Sequence, residues 1–250
     1  MPPLTLDEVL KTPVTPLDRY GQVHTRRFAE TLTRAQGYIH PGVRALSIGT
    51  YGHFEHLVKR WTGVDVEIAN RESARTNVLT FDVEKDPWSD PVRGHYDLVF
   101  FLEVLEHLRE HPLFAMKQIR NVIKPGGHLI LTTPNSSSYR AILQVLSGYR
   151  PYLWPVYERN RGGMAHIKEY STLEVLGLLK AAGFEVISHQ TFSPYIDDID
   201  HAHPKIRDFL IGQGLNWELA HSTHFLIARA TGVPTHRAYI PTIYDETDWS

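Results

Sequence analysis

The chain of 250 residues carries 26 basic and 28 acidic residues, a formal net charge of −2, so it lacks the basic surplus with which a protein holds nucleic acid by neutralising phosphates. It has no cysteine, which excludes disulfides, thiolate zinc sites and cysteine nucleophiles and suits a reducing cytoplasm. At 42% hydrophobic and 22% charged residues it reads as one soluble α/β domain; no apolar run approaches the ~20 residues of a membrane span, and no secretory signal is expected at its start.

Residues 1–17, rich in Pro and Thr, read as an arm. Asp18 to about Gly37 has helical spacing, with Phe28, Ala29, Leu32 and Ala35 on one side. Val43–Ile48 is a short apolar strand that ends at the turn Gly49-Thr50-Tyr51-Gly52, and His53–Trp61 is a short helix. Val64–Ile68 alternates apolar and acidic residues, the period of a strand. Asn77–Phe81 and Tyr96–Leu102 are further strands, with a polar loop from Asp82 to Pro91 between them. Glu103–Val122 reads as a helix that breaks or restarts near His111-Pro112; Lys124–Gly127 is a turn and His128–Thr133 a fifth strand.

Residues 135–168 interrupt this rhythm and read as a helix and loop inserted as a lid, with Tyr139, Tyr149, Tyr152, Trp154 and Tyr157 concentrated in it. Ser171–Ala182 is a helix with a capping box of Ser171 and Glu174 and a stop at Gly183. Strands Phe184–Phe192 and Thr223–Ala230 follow, separated by an acidic, His-rich loop and short helix. Strands alternating with helices predict a Rossmann-like, doubly wound, mostly parallel seven-stranded sheet with an antiparallel C-terminal strand. The expected organisation is a single domain: residues 1–40 arm and helix, 43–133 core, 135–168 lid, 169–232 sheet completion and 233–250 tail.

The strand ends carry the chemistry. A strand, a glycine turn and a helix present backbone N–H groups to a ligand. Asp65 and Glu67 on the second strand offer carboxylates to ribose hydroxyls, and Asp82 follows the third. The text ALSIGTYGHFE, GVDVE, FDVEKDPW, YDLVFFLEVLEHL, IKPGGHLILTTPN and HIKEYSTLEVLGLLKAAGFEV resembles a class I S-adenosylmethionine-dependent methyltransferase of the small-molecule methyltransferase-domain kind, over roughly residues 43–190. The resemblance implies S-adenosylmethionine as cofactor. Gly49, Thr50, Tyr51 and Gly52 would then cradle its methionine part. Asp65, or alternatively Glu67, would hold the ribose. Asp82 and Val83 would read adenine, and Leu102 and Glu103 would lie near the sulfonium. The sequence departs from the family at Ser47, where an acid is usual, and in its glycine-poor turn.

Methyl transfer to oxygen needs the acceptor's proton removed, by a base or by a metal that lowers its pKa. Glu103, Glu106 and His107 stand at i, i+3 and i+4 and, as a helix, share a face. With His166 they form a candidate site for Mg2+ or another divalent metal; His107, His166 and Glu103 are the catalytic candidates. A similar Glu-x-x-Glu-His with a distant His occurs in ubiquinone-pathway O-methyltransferases and in small-RNA 3′-end 2′-O-methyltransferases. Against this, the same three positions can be the solvated side of an ordinary helix. Asp197, Asp198, Asp200, His201 and His203 read as a solvated loop, and Arg26 and Arg27 as surface residues within reach of the cofactor carboxylate. The reading is O-methylation of a small molecule, without membrane or nucleic-acid partners and with no oligomeric state legible. The alternatives are a non-catalytic methyltransferase-like module, an RNA 3′-end 2′-O-methyltransferase and a nicotinamide-dependent oxidoreductase, whose glycine fingerprint the chain lacks.

Overall fold

In the computed structural model the described residues are 3–11, 19–50, 52–71, 78–87, 94–149, 166–194, 204–214 and 216–232. They contain strands β1 (Ala45–Ile48), β2 (Val66–Asn70), β3 (Val78–Thr80), β4 (Tyr96–Leu102), β5 (Ile123–Pro134), β6 (Phe184–Phe192) and β7 (Thr223–Ala230). The helices are α1 (Leu6–Leu10), α2 (Arg19–Ala35), α3 (His53–Thr62), α4 (Pro112–Val122), α5 (Tyr139–Leu146), α6 (Thr172–Ala181) and α7 (Pro204–Gly212).

The seven strands form one sheet in the order β3-β2-β1-β4-β5-β7-β6. β7 runs antiparallel to both β5 and β6, and the pairings among β1 to β5 are parallel. This is the doubly wound sheet the sequence predicts, with its one reversed strand in place. The sheet is covered on both faces because its strands are apolar at successive positions. In β4, Leu98 and Phe100 pack with Leu32 of α2 and Phe54 and Val58 of α3. Val99 and Phe101, pointing the other way, pack with Met116 and Ile119 of α4 and Val175 and Leu179 of α6. Each such side chain stabilises the fold by about 1.5–3 kcal/mol on burial.

Local signals set the ends of the helices. Ser171 accepts from the Glu174 amide while the Glu174 carboxylate accepts from the Ser171 amide, so α6 has the predicted capping box. Gly183, at φ 88°, ends it. No helix among the described residues is long and apolar enough to cross a membrane.

Two predicted elements differ. The restart expected near His111-Pro112 is present, but residues 103–111 ahead of it are not an α-helix. Glu103 leaves β4 in the left-handed region at φ 55°, Leu105–His107 is a single 3-10 turn, and α4 starts afresh at Pro112, with His111 Nδ1 accepting from the Phe114 amide. Proline lacks an N–H and so favours a first helical turn. Lys124–Gly127 is a bulge inside β5, because Tyr96 pairs with Ile123 and Leu98 with His128. A side chain at Gly127 would meet the Asp97 carbonyl at 2.9 Å, so the bulge closes only around glycine. Asp197, Asp198, Asp200, His201, His203, Tyr152, Trp154 and Tyr157 lie outside the described residues, as does Tyr51.

Candidate functional site

The strand order reverses between β1 and β4, and such a switch point opens a crevice at the C-terminal ends of the strands. A cleft enclosing about 1110 Å³ of empty space, part of it continuous with solvent, lies there. Its floor is the β1–α3 turn, with Ile48, Gly49 and Thr50 on its wall. Gly49 has φ 78° and donates its N–H to the Ala69 carbonyl at 2.8 Å. A Cβ at this position would come within 2.6 Å of Val104 Cγ2. Only glycine fits there. Gly52, at φ 96°, is the N-cap of α3 and offers no side-chain cap to its amides.

The acid missing at position 47 has a replacement nearby. Ser47 is fully buried, and its hydroxyl lies 3.2 Å from that of Thr50. The Thr50 hydroxyl donates to Glu55 Oε1 at 2.6 Å. A carboxylate from the first turn of α3 therefore braces the glycine turn from the helix side.

Helix α2 supplies a wall that sequence reasoning left mostly at the surface. Tyr20, Arg27 and Phe28 line the cleft together with His53 and Phe54, and the Phe28 and His53 rings stack at 6.4 Å between centroids. Arg27 pairs with Glu103 at 3.2 Å, the two side chains being 7% and 10% exposed, and also donates to the Tyr20 hydroxyl at 3.0 Å. Burial raises the Tyr20 hydroxyl pKa and lowers that of His24 to about 4, Arg27 adding to the second effect. Glu103 Oε1 is buried without a hydrogen-bond partner. A buried acceptor of this kind wants a donor.

Apolar lining comes from Phe81, Val83, Leu102 and Leu108, with Asp82 and Glu84 beside them. Asp82 Oδ1 accepts from the Glu84 amide at 3.0 Å. Glu84 Oε1 accepts in turn from the amides of Arg109 and Glu110, pinning the loop after Leu108. The Nδ2 of Asn70, the last residue of β2, donates to the Thr50 carbonyl at 3.1 Å.

Asp65 and Glu67 are not in the cleft. β2 pairs with β1 in parallel, Ala45 opposite Val66 and Ile48 opposite Ala69, so both acids sit at the far, N-terminal end of the strand. Asp65 is an exposed partner of Lys59 at 2.6 Å. Glu67 accepts from Arg44 at 3.2 Å and from the Tyr96 hydroxyl at 2.9 Å. Asn70, at the C-terminal end of the same strand, is the β2 residue that lines the cleft. A strand drawn two residues longer, to include Ala69-Asn70, reaches the cleft.

The carboxylate and imidazole cluster is real but is built differently from a helix face. Glu103, left-handed at φ 55°, pairs with Arg27 and is not part of the cluster. Glu106 is 1% exposed, so it is no solvated helix face. Its Oε2 accepts from the Thr133 hydroxyl at 3.0 Å. Glu106, His107 and His166 each bring a ligand-type atom within 4.8 Å of the others. The His107 and His166 rings meet edge to face at 5.0 Å, and His107 also lines the cleft. Burial, with Glu103 adding to it and His166 opposing, pushes the Glu106 carboxyl up to about 8. Burial depresses the His166 imidazole, but the Glu169 hydrogen bond and the Glu106 and Glu103 charges outweigh it and raise the pKa. One buried oxygen donor and two imidazoles suit a divalent cation of the first transition row or magnesium with further oxygen ligands. A cation would also relieve the cost of burying the Glu106 charge. The set fits.

The cleft also fits a ligand with a heterocycle at one end, a hydroxylated ring in the middle and an amino-acid group at the other. Phe81, Val83 and Leu102 offer apolar surface, Asn70 a polar amide, and Arg27 and Glu103 opposite charges. Comparison with known proteins gives the family. The family model described as "Methyltransferase domain" matches residues 18–189. A curated relative, the ubiquinone biosynthesis O-methyltransferase of Alkalilimnicola ehrlichii, is 30% identical over 117 residues, which is 42% of this chain and 47% of that protein. The chain thus spans about half the length of the curated relatives it matches. Among solved structures, a SAM-dependent methyltransferase from Archaeoglobus fulgidus superposes with a TM-score of 0.57 at 18% identity, covering 85% of this chain and all of that one (100%). The [4+2]-cyclase SpnF gives 0.55 at 18% identity, covering 84% and 82%; at this identity both likenesses speak for the fold alone. By its family match, its sheet order and its glycine turn, the chain belongs to the methyltransferase-domain family of class I S-adenosylmethionine-dependent methyltransferases.

Proposed function

We propose that the chain transfers a methyl group from S-adenosylmethionine to a hydroxyl oxygen of a small molecule, with a divalent cation held by Glu106, His107 and His166. When bound, the cofactor supplies an activated methyl group, and the cation supplies a charge that lowers the pKa of a hydroxyl beside it. The residues of the chain do the rest. Gly49 and Thr50 shape the floor, Asn70 faces the ribose, Arg27 and Glu103 orient the amino-acid end, and Phe81, Asp82, Val83 and Leu102 enclose adenine. Gly52, as the cap of α3, brings no side-chain oxygen to the first turn of that helix. Alignment of the two reacting atoms provides much of the acceleration.

One observation carries the reading: His107 belongs both to the cleft wall and to the Glu106–His107–His166 cluster. Protons can therefore be managed where the methyl group is presented. The name O-methyltransferase borne by the curated relatives supports oxygen as the acceptor atom. Glu103, expected among the metal ligands and catalytic residues, takes the binding role beside Arg27. The proposal includes a single domain over the whole chain, residues 135–168 as its lid, and a cytoplasmic setting in keeping with the cysteine-free composition. A second reading replaces the cation with His107 as a general base, which its position in the wall permits.

The test is turnover. The purified chain is incubated with S-adenosylmethionine and a panel of phenols, vicinal diols and sugars, with Mg2+ or with a chelator, and products are mapped by mass spectrometry. A product methylated on oxygen, formed only with the cation, is the expected result. Turnover unaffected by chelation removes the cation and favours His107. Methylation on nitrogen or carbon overturns the oxygen assignment.

A further inference from the structure

Glu169 has no part in the cleft, yet it reaches the cluster from behind. Its Oε1 lies 2.7 Å from His166 Nδ1, and its side chain is 14% exposed. The segment that carries both residues is tied to the other half of the cluster through the backbone. The amides of Ile167 and Lys168 donate to the Glu106 carbonyl at 2.7 and 3.2 Å. Lys168, the nearest cation along the chain, is directed elsewhere, to Glu174 at 2.8 Å. The Glu169 carboxylate is therefore aimed at an imidazole and not at a lysine.

An ionised carboxylate can only accept. Facing Nδ1, it holds the hydrogen there and leaves the lone pair on Nε2. It also fixes the plane of the ring. Carboxylates standing behind metal-binding imidazoles act in this way, and removing one weakens metal affinity by roughly 10–100-fold.

We propose that Glu169 is a positioning residue of the metal centre: its bond to His166 Nδ1 fixes the tautomer and ring plane that turn Nε2 toward Glu106 and His107. The inference rests on the cation reading above. It does not need Glu169 to touch the cation, the cofactor or the acceptor. Two arms of the chain, one leaving β4 and one preceding α6, meet at the Glu106 carbonyl, and Glu169 sets the angle at which the second arm presents its imidazole.

The test reads metal binding, not turnover. Mn2+ affinity of the full chain is measured by electron paramagnetic resonance for the wild type, Glu106→Gln, Glu169→Ala and Glu169→Gln. The wild type is expected to bind one Mn2+ and Glu106→Gln to lose it. Glu169→Ala weakens binding by about 10–100-fold. Glu169→Gln, whose amide oxygen can still accept from Nδ1–H, is expected to fall between the two. If Glu169→Ala binds Mn2+ as the wild type does, the positioning role is overturned while the metal site stands. If the wild type binds none, the site and the role fall together. Should the alanine variant not fold, long-range 1H–15N spectra of His166 in the Mg2+-loaded wild type decide the matter. Hydrogen on Nδ1 supports the proposal, and hydrogen on Nε2 overturns it.

Discussion

Arg27 of α2 and Glu103 at the end of β4, 76 residues apart in sequence, meet at 3.2 Å in the wall of the cleft. Two charges taken out of water gain little from each other in net terms, and breaking such a pair costs more than the pair contributes, about 3–5 kcal/mol. A buried ion pair that leaves one oxygen unpartnered makes sense as half of a binding site. Arg27→Met is expected to weaken S-adenosylmethionine binding at least tenfold and to lower stability by a few kcal/mol. Glu103→Gln, which keeps the shape, should lose affinity with less loss of stability. Calorimetric titration and thermal melts of the two variants check both halves.

Asn70 and Asp65 separate the two ends of β2. Asn70→Ala removes a polar group that lines the cleft and frees the Thr50 carbonyl. It should weaken cofactor binding by about 1–3 kcal/mol, the cost of a lost hydrogen bond in a buried site. Asp65→Ala only breaks an exposed pair with Lys59 and should leave cofactor affinity unchanged. Equal losses in the two variants would return the ribose to the acidic end of the strand.

The Asp65 expectation shows what pattern alone conveys. The alternation in Val64–Ile68 identified a strand correctly, but period carries no information about which end faces a site. That depends on where the strand stops, and β2 runs on to Asn70. By contrast, Phe184–Phe192 and Thr223–Ala230 match their observed spans, the first opening right after Gly183 and the second closing before Thr231. Glu106, His107 and His166 do converge, though not by helical spacing: a 3-10 turn and the backbone bonds from Ile167 and Lys168 bring them together. Arg27 reads as a surface residue because nothing local says that α2 docks over the strand ends. That is a tertiary fact, and so is the supply of a carboxylate by Glu55 where Ser47 lacks one.

Gly49 tests the cradle. Alanine there would strain the backbone at φ 78° and drive its Cβ to 2.6 Å from Val104. Gly49→Ala is expected to cost about 1–3 kcal/mol of stability and to abolish detectable cofactor binding. Adding Val104→Ala relieves the contact but not the backbone strain, so the double variant should recover part of the stability and little of the binding. Full recovery of binding would show that the contact alone matters.

His224 gives the fold a pH dependence separate from the site. It is fully buried in β7, lies 3.0 Å from His189, and donates from Nε2 to the Tyr170 carbonyl at 3.0 Å. Burial, with His189 assisting and the Tyr170 bond opposing, lowers its pKa to about 4. His189 is also lowered, by burial. The unfolded chain thus takes up protons near pH 6.5 that the folded chain refuses. Stability is intact above that pH and is lost as pH falls toward 4, by on the order of 3 kcal/mol for His224. His224→Gln removes this titration, so its melting temperature should fall less than that of the wild type between pH 7 and 4.5. Parallel curves would assign the acid sensitivity elsewhere.

Titration of the folded wild-type chain with S-adenosylmethionine in a calorimeter, beside Gly49→Val, bears most directly on the account. Saturable binding at one site per chain in the wild type, absent from the variant, is the predicted result. A wild-type chain that is folded by circular dichroism and yet takes up no S-adenosylmethionine would contradict it.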